Sequence, residues 1–513
     1  MEKYCFTSNK YAVKVTEGGI SRQIPVYVTV VCDGRGNSKY LPAELATEFN
    51  GLTHGTQTVK TYFTTFEFEK DAELEVVMRD STSEITVKPE IEGLVFENAN
   101  QRVTLAVTDD LNFVMQPNGN MFPALSVFCH KKRTLVNDKA NLMEFKAGVH
   151  TVENSPYIEN DDHGNPVIAG VTDDMLIYLH EGAFVCADLV LKGVKNVRVA
   201  GTGILSTVHR CEGAERGFEG DTFWGGFRYY ACPSLYIRSG CSDIVVEDIT
   251  ISSEFRNVVI RNSENIVLKN VKMFASTENA DGINCYNTRH LLVDGCFIWS
   301  SDDCFCMYNS CDSIPTLHDF GYEDVVAVCC DVEVKNCMMC SSSRPIVIGG
   351  HATGATEPRC LIEGLYIHDC YIFETPKRLF IGPASREMRW SGHLRILSQS
   401  EQIVRNLTFE NIRIDYTNGC ISKPVHIEVR GNKNASYTES RGYRIENITF
   451  RNITAGGYTD NLLPILIESR ERSDEQDDCG ISGIVFDNFT VGGKSVDVAE
   501  MKISGPVEPI VIR

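Results

Sequence analysis

The 513-residue sequence lacks long apolar runs and lacks clusters of basic residues. No window approaches the roughly 18 consecutive apolar residues of a membrane-spanning helix, so we expect no membrane partner. Lysine and arginine number 49 against 69 acidic residues, which gives a net charge of −20. Phosphate binding needs basic stripes, so this charge argues against a nucleic-acid partner.

The N-terminal residues, MEKYCFTSNKYAVKV, also lack the apolar segment and cleavage site of a secretory signal. We therefore expect a cytoplasmic protein, or a secreted one if the chain has been trimmed. Twenty cysteines are present, and without a signal they do not predict disulfides. Cys337-x-x-Cys340 and Cys304-x-Cys306 leave a zinc site open, but the repeat described next explains the cysteines differently, and we expect no metal and no cofactor.

One phrase recurs from about residue 195 onwards: apolar, polar, Asn/Asp/Gly, apolar, polar, apolar. It reads VVEDITI, VLKNVKM, LVDGCFI, EVKNCMM, YIHDCYI, TFENIRI, TFRNITA and VFDNFTV. Its central residues are Asp248, Asn270, Gly295, Asn336, Asp369, Asn411, Asn452 and Asn488. The alternation predicts half-buried strands, and the central Asn, Asp or Gly predicts a tight bend.

A shortest spacing of 22 residues, between Asp248 and Asn270, is typical of one coil of a parallel β-helix with loops inserted at its bends. A leucine-rich repeat would show a Leu-x-x-Leu-x-Leu frame, which is missing. The residue after the bend alternates between Ile, Val and Cys, so these cysteines are predicted to be small core residues. The sequons at Asn447, Asn452 and Asn488 lie in or beside core phrases, which argues against glycosylation there.

The N-terminal stretch contains β-like segments, such as RQIPVYVTVVC and TYFTTFEFE, without the repeat. We predict an all-β chain with two domains: a β-sandwich-like domain over residues 1–135 and a parallel β-helix over residues 136–513.

Two decapeptides within the repeat match each other, ENADGINCYN from Glu278 and SSDDCFCMYN from Ser300. Their offset of 22 residues places Asp281 and Asp303 at equivalent positions on adjacent coils. Asp302 precedes Asp303 directly, so a regular strand would send the two side chains to opposite faces unless the chain bends there. Stacked carboxylates could bind calcium or lie solvated at a turn, but they also supply the acid and base that glycoside hydrolysis needs.

NADGINCYN and SSDDCFCMYN resemble motifs of the glycoside hydrolase clan that contains polygalacturonases (family 28) and dextranases with isopullulanase (family 49). The segments IYLHEGAFVCADL, VAGTGILS, RPIVIGGHATG and ISGIVFDNFTVGGKSV are similar to the dextranase side. The resemblance implies a right-handed parallel β-helix behind an N-terminal sandwich. It also implies inverting hydrolysis, with Asp302 as general acid and Asp281 and Asp303 holding the water.

Polygalacturonases carry a Gly-His-Gly and an Arg-x-Lys, and the latter binds the substrate carboxylate. His351 and Arg395 match part of these motifs, whereas Leu397 stands where the lysine would be. This difference favours a neutral, α-glucan-like sugar over a uronic one. Arg344 is a further candidate substrate-binding residue.

Aromatic residues near the motifs provide candidate sugar-stacking platforms. Trp224 and Trp390 are predicted to bind sugar rings, with a packed loop as the alternative reading for each. Tyr286 and Tyr308 lie in register on adjacent coils and favour a structural ladder.

The sequence thus predicts a hydrolase of oligo- or polysaccharides. A polygalacturonase-like hydrolase of uronic sugars, a polysaccharide lyase and a non-enzymatic carbohydrate-binding β-helix remain open alternatives, and so does the oligomeric state.

Overall fold

The computed structural model describes residues 7–32, 58–79, 84–97, 101–119, 123–134, 137–162, 164–207, 233–253, 255–275, 280–310, 325–341, 343–353, 359–373, 392–399, 402–416, 422–430, 442–457, 462–473 and 477–513. Regular structure in these ranges consists of strands and one 3-10 turn at Val498–Glu500. None of the described residues forms a helix long and apolar enough to cross a membrane.

Two five-stranded sheets form the N-terminal part. Their strands are β1 Tyr11–Glu17, β2 Ile20–Ile24, β3 Tyr27–Cys32, β4 Thr58–Phe68, β5 Ala72–Met78, β6 Ile85–Lys88, β7 Val95–Glu97, β8 Arg102–Val107, β9 Leu111–Pro117 and β10 Leu125–Lys131. The orders are β2-β1-β5-β8-β7 and β3-β4-β10-β9-β6. Alternate side chains of the two sheets, among them Val13, Leu74, Phe66 and Phe113, share one core, as in a β-sandwich.

Most of the rest of the described chain forms a single sheet of 29 strands, in which strands of successive coils lie parallel to one another, except for β39 (Lys494–Ser495), which pairs antiparallel with β38 (Gly480–Val491). Its strands are β11 Asn141–Phe145, β12 Gly148–His150, β15 Met175–Leu179, β16 Ala183–Val185, β17 Leu189–Lys192, β18 Lys195–Ala200, β19 Ile204–Ser206, β20 Leu235–Arg238, β21 Ser242–Glu247, β22 Thr250–Ser253, β23 Val258–Lys269, β24 Lys272–Ala275, β25 Ile283–Asp294, β26 Phe297–Ser300, β27 Phe305–Ser310, β28 Val325–Lys335, β29 Met338–Ser341, β30 Ile346–Thr353, β31 Arg359–His368, β32 Tyr371–Phe373, β33 Leu394–Ser398, β34 Gln402–Tyr416, β35 Val425–Val429, β36 Arg444–Gly457, β37 Leu466–Ser469, β38 Gly480–Val491, β39 Lys494–Ser495, β40 Lys502–Ser504 and β41 Val511–Ile512. A separate hairpin pairs β13 Ile158–Asn160 with β14 Pro166–Ile168.

Successive coils stack like residue on like residue. One inward column runs through buried aliphatic side chains on eight coils: Ile244, Ile266, Leu291, Val332, Leu365, Leu407, Ile448 and Ile484. The pairing between coils is parallel throughout this column, so the predicted parallel β-helix is confirmed.

The recurring Asn, Asp or Gly forms the predicted bend. All eight central residues have positive φ, from 51° at Asn270 to 66° at Asp248, a conformation that Asn, Asp and Gly tolerate best. The Asn and Asp side chains also bond from coil to coil: Asn452 donates to Asn411 at 3.1 Å and accepts from Asn488 at 2.9 Å.

The cysteines of the repeat lie in the core, as predicted. Cys296, Cys337 and Cys370 pack among the inward aliphatic side chains. Fourteen cysteines have side chains among the described residues, and all of them are buried free thiols.

The sandwich docks on the helix through aromatic side chains. Phe63 and Phe128 of the second sheet contact Phe274, with ring centroids 5.1 and 6.1 Å apart, and Phe128 contacts Phe297 at 5.1 Å. The division of the chain at residue 135 stays a prediction; the strands that flank it are β10 and β11.

Candidate active site

The three aspartates lie where two adjacent coils turn into strands of the same face. Asp281 comes two residues before β25, and Asp302 and Asp303 occupy the bend between β26 and β27. The Gly282 N–H donates to the Asp303 carbonyl at 2.8 Å, and Ile283 pairs with Phe305. The 22-residue offset therefore corresponds to one coil.

A bend places the side chains of Asp302 and Asp303 on the same side. The hydroxyls of Ser300 and Ser341 both donate to the Asp302 carbonyl, at 2.8 and 2.5 Å. Arg344 then reaches both carboxylates, at 3.5 Å from Asp302 Oδ1 and 2.7 Å from Asp303 Oδ1.

Gly282 permits this close stacking. A Cβ at residue 282 would lie 2.3 Å from Ile298 Cγ2 and 2.4 Å from the Cys304 carbonyl oxygen. The Asp-Gly pair of the motif thus combines a carboxylate with a backbone that the next coil can approach.

Asp281 accepts two hydrogen bonds, lies beside one arginine and is nearly excluded from solvent. Its Oδ2 accepts from Asn284 Nδ2 at 2.6 Å and lies 3.4 Å from Arg256 Nε, and its Oδ1 accepts from the Asp303 N–H at 3.2 Å. Burial, followed by the neighbouring Asp302, raises the pKa of Asp281 to about 6, and Arg256 opposes the rise.

Asp303 forms a two-pronged ion pair with Arg344, whose Nε and Nη2 lie 2.7 and 2.9 Å from its carboxylate oxygens. The Tyr308 hydroxyl donates to Asp303 Oδ2 at 3.3 Å. Burial raises the pKa of Asp303, and Arg344 opposes this effect. Burial alone would lower the pKa of Arg344, but Asp303 and Asp302 raise it above its ordinary value.

Four of these charges form one column across successive coils. Arg256, Asp281, Asp303 and Arg344 each lie two residues before paired strand positions. Two arginines thus bracket two carboxylates, and the nearest oxygens of Asp281 and Asp303 lie within 4.8 Å of each other. Cys306 Sγ belongs to the same group, so these three side chains could ligate a metal ion, in competition with the arginines.

The other predicted site residues differ in position. Arg395 pairs with Val347 on the coil after Arg344, is fully buried and donates to Glu428 at 3.0 Å. The backbone of His351 belongs to β30, and its side chain lies outside the described residues, as do Trp224 and Trp390.

Three residues beside the aspartates were missed by sequence reasoning as parts of the site: Arg256, Asn284 and Tyr308. Arg256 precedes Asp281 by 25 residues, the spacing between the Asn270 and Gly295 repeat positions. That spacing was the signal that could have placed it. Tyr286 and Tyr308 form the predicted ladder, with ring centroids 5.5 Å apart.

The sequence matches no protein-family model and no curated protein. Among solved structures, Dex49A from Penicillium minioluteum is 14% identical, with 98% of this chain and 95% of that chain covered and a TM-score of 0.55. The chain has the fold of Dex49A. The family 28 exopolygalacturonase of Yersinia enterocolitica is 12% identical, with 98% of both chains covered and a TM-score of 0.47.

A hyperthermoactive exopolygalacturonase from Thermotoga maritima is 13% identical, with 72% of this chain and 84% of that chain covered and a TM-score of 0.44. The predicted architecture, a right-handed parallel β-helix behind an N-terminal sandwich, is confirmed. The resemblance to the clan of families 49 and 28 is confirmed at the level of the fold.

Proposed function

We propose that this protein is an inverting glycoside hydrolase of oligo- or polysaccharides, with Asp302 as general acid and Asp281 and Asp303 as the pair that holds and activates water. The observation that carries the proposal is the separation of Asp281 and Asp303, whose nearest oxygens lie within 4.8 Å. An acid–base pair that flanks a glycosidic bond is about 5–5.5 Å apart in retaining enzymes and about 6.5–9.5 Å apart in inverting ones. Asp281 and Asp303 lie close enough to bind one water together, and the resemblance to the clan of families 49 and 28 assigns the general acid to Asp302 and implies inversion.

The surroundings suit this division of roles. Burial keeps bulk water away from the carboxylates and raises the pKa of Asp281 to about 6, so a proton can be held or released near neutral pH. Arg256 and Arg344 stabilise the negative charges of Asp281 and Asp303 in the protein interior.

The burial of Arg395 and its contact with Glu428 favour a neutral substrate. The Arg395 guanidinium is buried against Glu428, and Glu428 also accepts from Arg430 at 2.9 Å. The cation at the position expected to bind a substrate carboxylate is therefore engaged within the protein, and Leu397 two residues later is apolar and buried.

The test compares wild type with Asp302→Asn on a panel of neutral and uronic oligosaccharides, with products followed by mass and by anomer-resolving NMR. Wild type should add water to a neutral substrate with inverted configuration, and the variant should lose about 10²–10⁴-fold in rate. Asp487→Asn, on the outer surface of the last coils, is the matched control and should keep its activity.

Other outcomes would contradict the proposal. An unsaturated product formed without added water would indicate a lyase. Binding of a sugar by both proteins without turnover would indicate a carbohydrate-binding β-helix.

A further inference from the structure

The outward face that carries the aspartates differs in burial between its C-terminal and N-terminal sides. On the C-terminal side of the aspartates, Gly349, Leu397 and Glu428 occupy equivalent outward positions on successive coils. All three are buried. The protein itself therefore occupies the face on this side.

On the N-terminal side the corresponding row of this face is half-exposed and has a different chemistry. The outward residues of β20, β23 and β25 include Tyr236, Arg238, Arg261 and Tyr286, all of them partly accessible to solvent. Arg238, Arg261 and Tyr286 are register partners, and Tyr236 lies two residues before Arg238 on the same face. We call these four residues the aromatic stripe.

The stripe combines flat rings with planar donors. The Arg238 guanidinium lies 4.9 Å from the centre of the Tyr236 ring, and that of Arg261 lies 5.9 Å from the centre of the Tyr286 ring. Tyrosine rings pack on the apolar faces of pyranose sugars, and guanidinium N–H groups donate to hydroxyl oxygens.

The stripe is continuous with the aspartates. Tyr286 contacts Tyr308, and the Tyr308 hydroxyl donates to Asp303. Arg256, at the N-terminal end of the charged column, has the most exposed side chain of that column, at 32%. With coils about 4.8 Å apart, the stripe extends for roughly 10 Å along the axis, enough for more than one sugar ring.

We infer that a pyranose chain binds along the aromatic stripe and reaches the aspartates from the N-terminal side only, so that the enzyme acts at a chain end. This inference rests on the proposed function and adds the position of the substrate and an exo mode of action. A chain that crossed the site in both directions would have to displace the part of the protein that buries Leu397 and Glu428.

Binding is tested first, in full-length protein carrying Asp302→Asn so that turnover does not interfere. Calorimetric titration with an oligosaccharide that wild type cleaves should give about tenfold weaker binding for Tyr286→Ala and for Tyr236→Ala. Tyr286→Phe keeps the ring and should bind like its parent. Tyr366→Ala is the matched control, because Tyr366 is exposed on another face of the helix and bonds to Glu410.

Mode of action is tested second, from the sizes of wild-type products at low conversion. A single small product from the start is expected, and an early mixture of all sizes would overturn the one-sided approach. Unchanged affinity in both alanine variants would overturn the stripe, and so would equal weakening in Tyr366→Ala. If wild type cleaves no sugar of the panel, the proposed function itself fails, which is a separate result.

Discussion

Single residues set the charge balance of the candidate site. Asp281 has one arginine beside it, in a single contact at 3.4 Å, whereas Asp303 has both oxygens bonded to Arg344. The carboxylate with the looser cation contact has the more easily altered pKa. Arg256 therefore acts as a positioning residue that tunes Asp281.

This assignment predicts a change in pH dependence. The water-activating pair must be ionised, and burial raises the pKa of Asp303 to about 8 and that of Asp281 to about 6, so kcat/KM should fall as the pH drops through this range. Arg256→Gln removes a cation that lowers the pKa of Asp281, so the lower part of the acid limb should move to higher pH, by about one unit. The measurement is the pH–rate profile of both proteins on one substrate.

Arg405→Gln is the control for the loss of a charge, since Arg405 pairs with Glu363 on a different face. Its profile should coincide with that of wild type. An acid limb that stays in place or moves to lower pH in Arg256→Gln would refute the role given to Arg256.

At the scale of structural elements, the Asn or Asp residue at a bend between strands meets a backbone requirement and a hydrogen-bonding requirement. Each bend requires a left-handed backbone, and each bend Asn or Asp also bonds to a neighbouring coil through its side chain. Asn452 shows both, with φ of 53° and hydrogen bonds to Asn411 and Asn488. This dual requirement explains why Asn recurs at the bends.

Substitutions at Asn452 should separate the effect of the left-handed backbone from the effect of the side-chain hydrogen bonds. Asn452→Ala loses both hydrogen bonds and strains the backbone, so the free energy of unfolding should fall by about 1–3 kcal/mol. Asn452→Gly loses only the bonds and should cost about 1 kcal/mol. Urea unfolding measures both, and equal losses would show that backbone strain contributes nothing at this bend.

At the scale of the whole molecule, a buried polar cluster joins the sandwich to the helix. Lys272 of β24 is fully buried, with Nζ 3.0 Å from Nε2 of His130 in β10 and 3.4 Å from the Asp248 carbonyl. Asp110 and Arg133 of the sandwich also face this cluster. Burial lowers the pKa of Lys272 to about 7 and that of His130 to about 4.

These shifts make the stability of the docked molecule depend on pH. Between pH 7 and the ordinary lysine value of 10.5, the unfolded chain binds a proton at Lys272 that the folded chain does not. The free energy of unfolding should therefore rise with pH across this window. Lys272→Met should be more stable than wild type near pH 7 and should lack this part of the rise.

Urea unfolding of the two proteins from pH 6.5 to 9.5 provides the measurement, at a pH interval of about half a unit. His130 titrates at about 4 in the folded chain and at 6.5 in the unfolded one, so the two proteins are compared above about pH 7.5, where it no longer contributes. Parallel curves for wild type and Lys272→Met would contradict a buried, neutral lysine at the interface.

The sequence by itself determined the coil repeat, the bend residues, the core cysteines and the stacking of Asp281 over Asp303. These features follow from the constant offset between adjacent coils, so a local pattern already encodes which residues become neighbours. The same offsets, 25 residues from Arg256 to Asp281 and 41 from Asp303 to Arg344, were present in the sequence but carried no chemical motif.

Only the tertiary structure decided that Asp302 and Asp303 point to the same side, that Arg344 binds both, and that Arg395 is buried against Glu428. It also decided which side of the aspartates stays open. The physical reason is that these facts depend on bends and on coverings of the outward face. Both depend on residues outside the inward aliphatic pattern, which constrains only the positions that face the core.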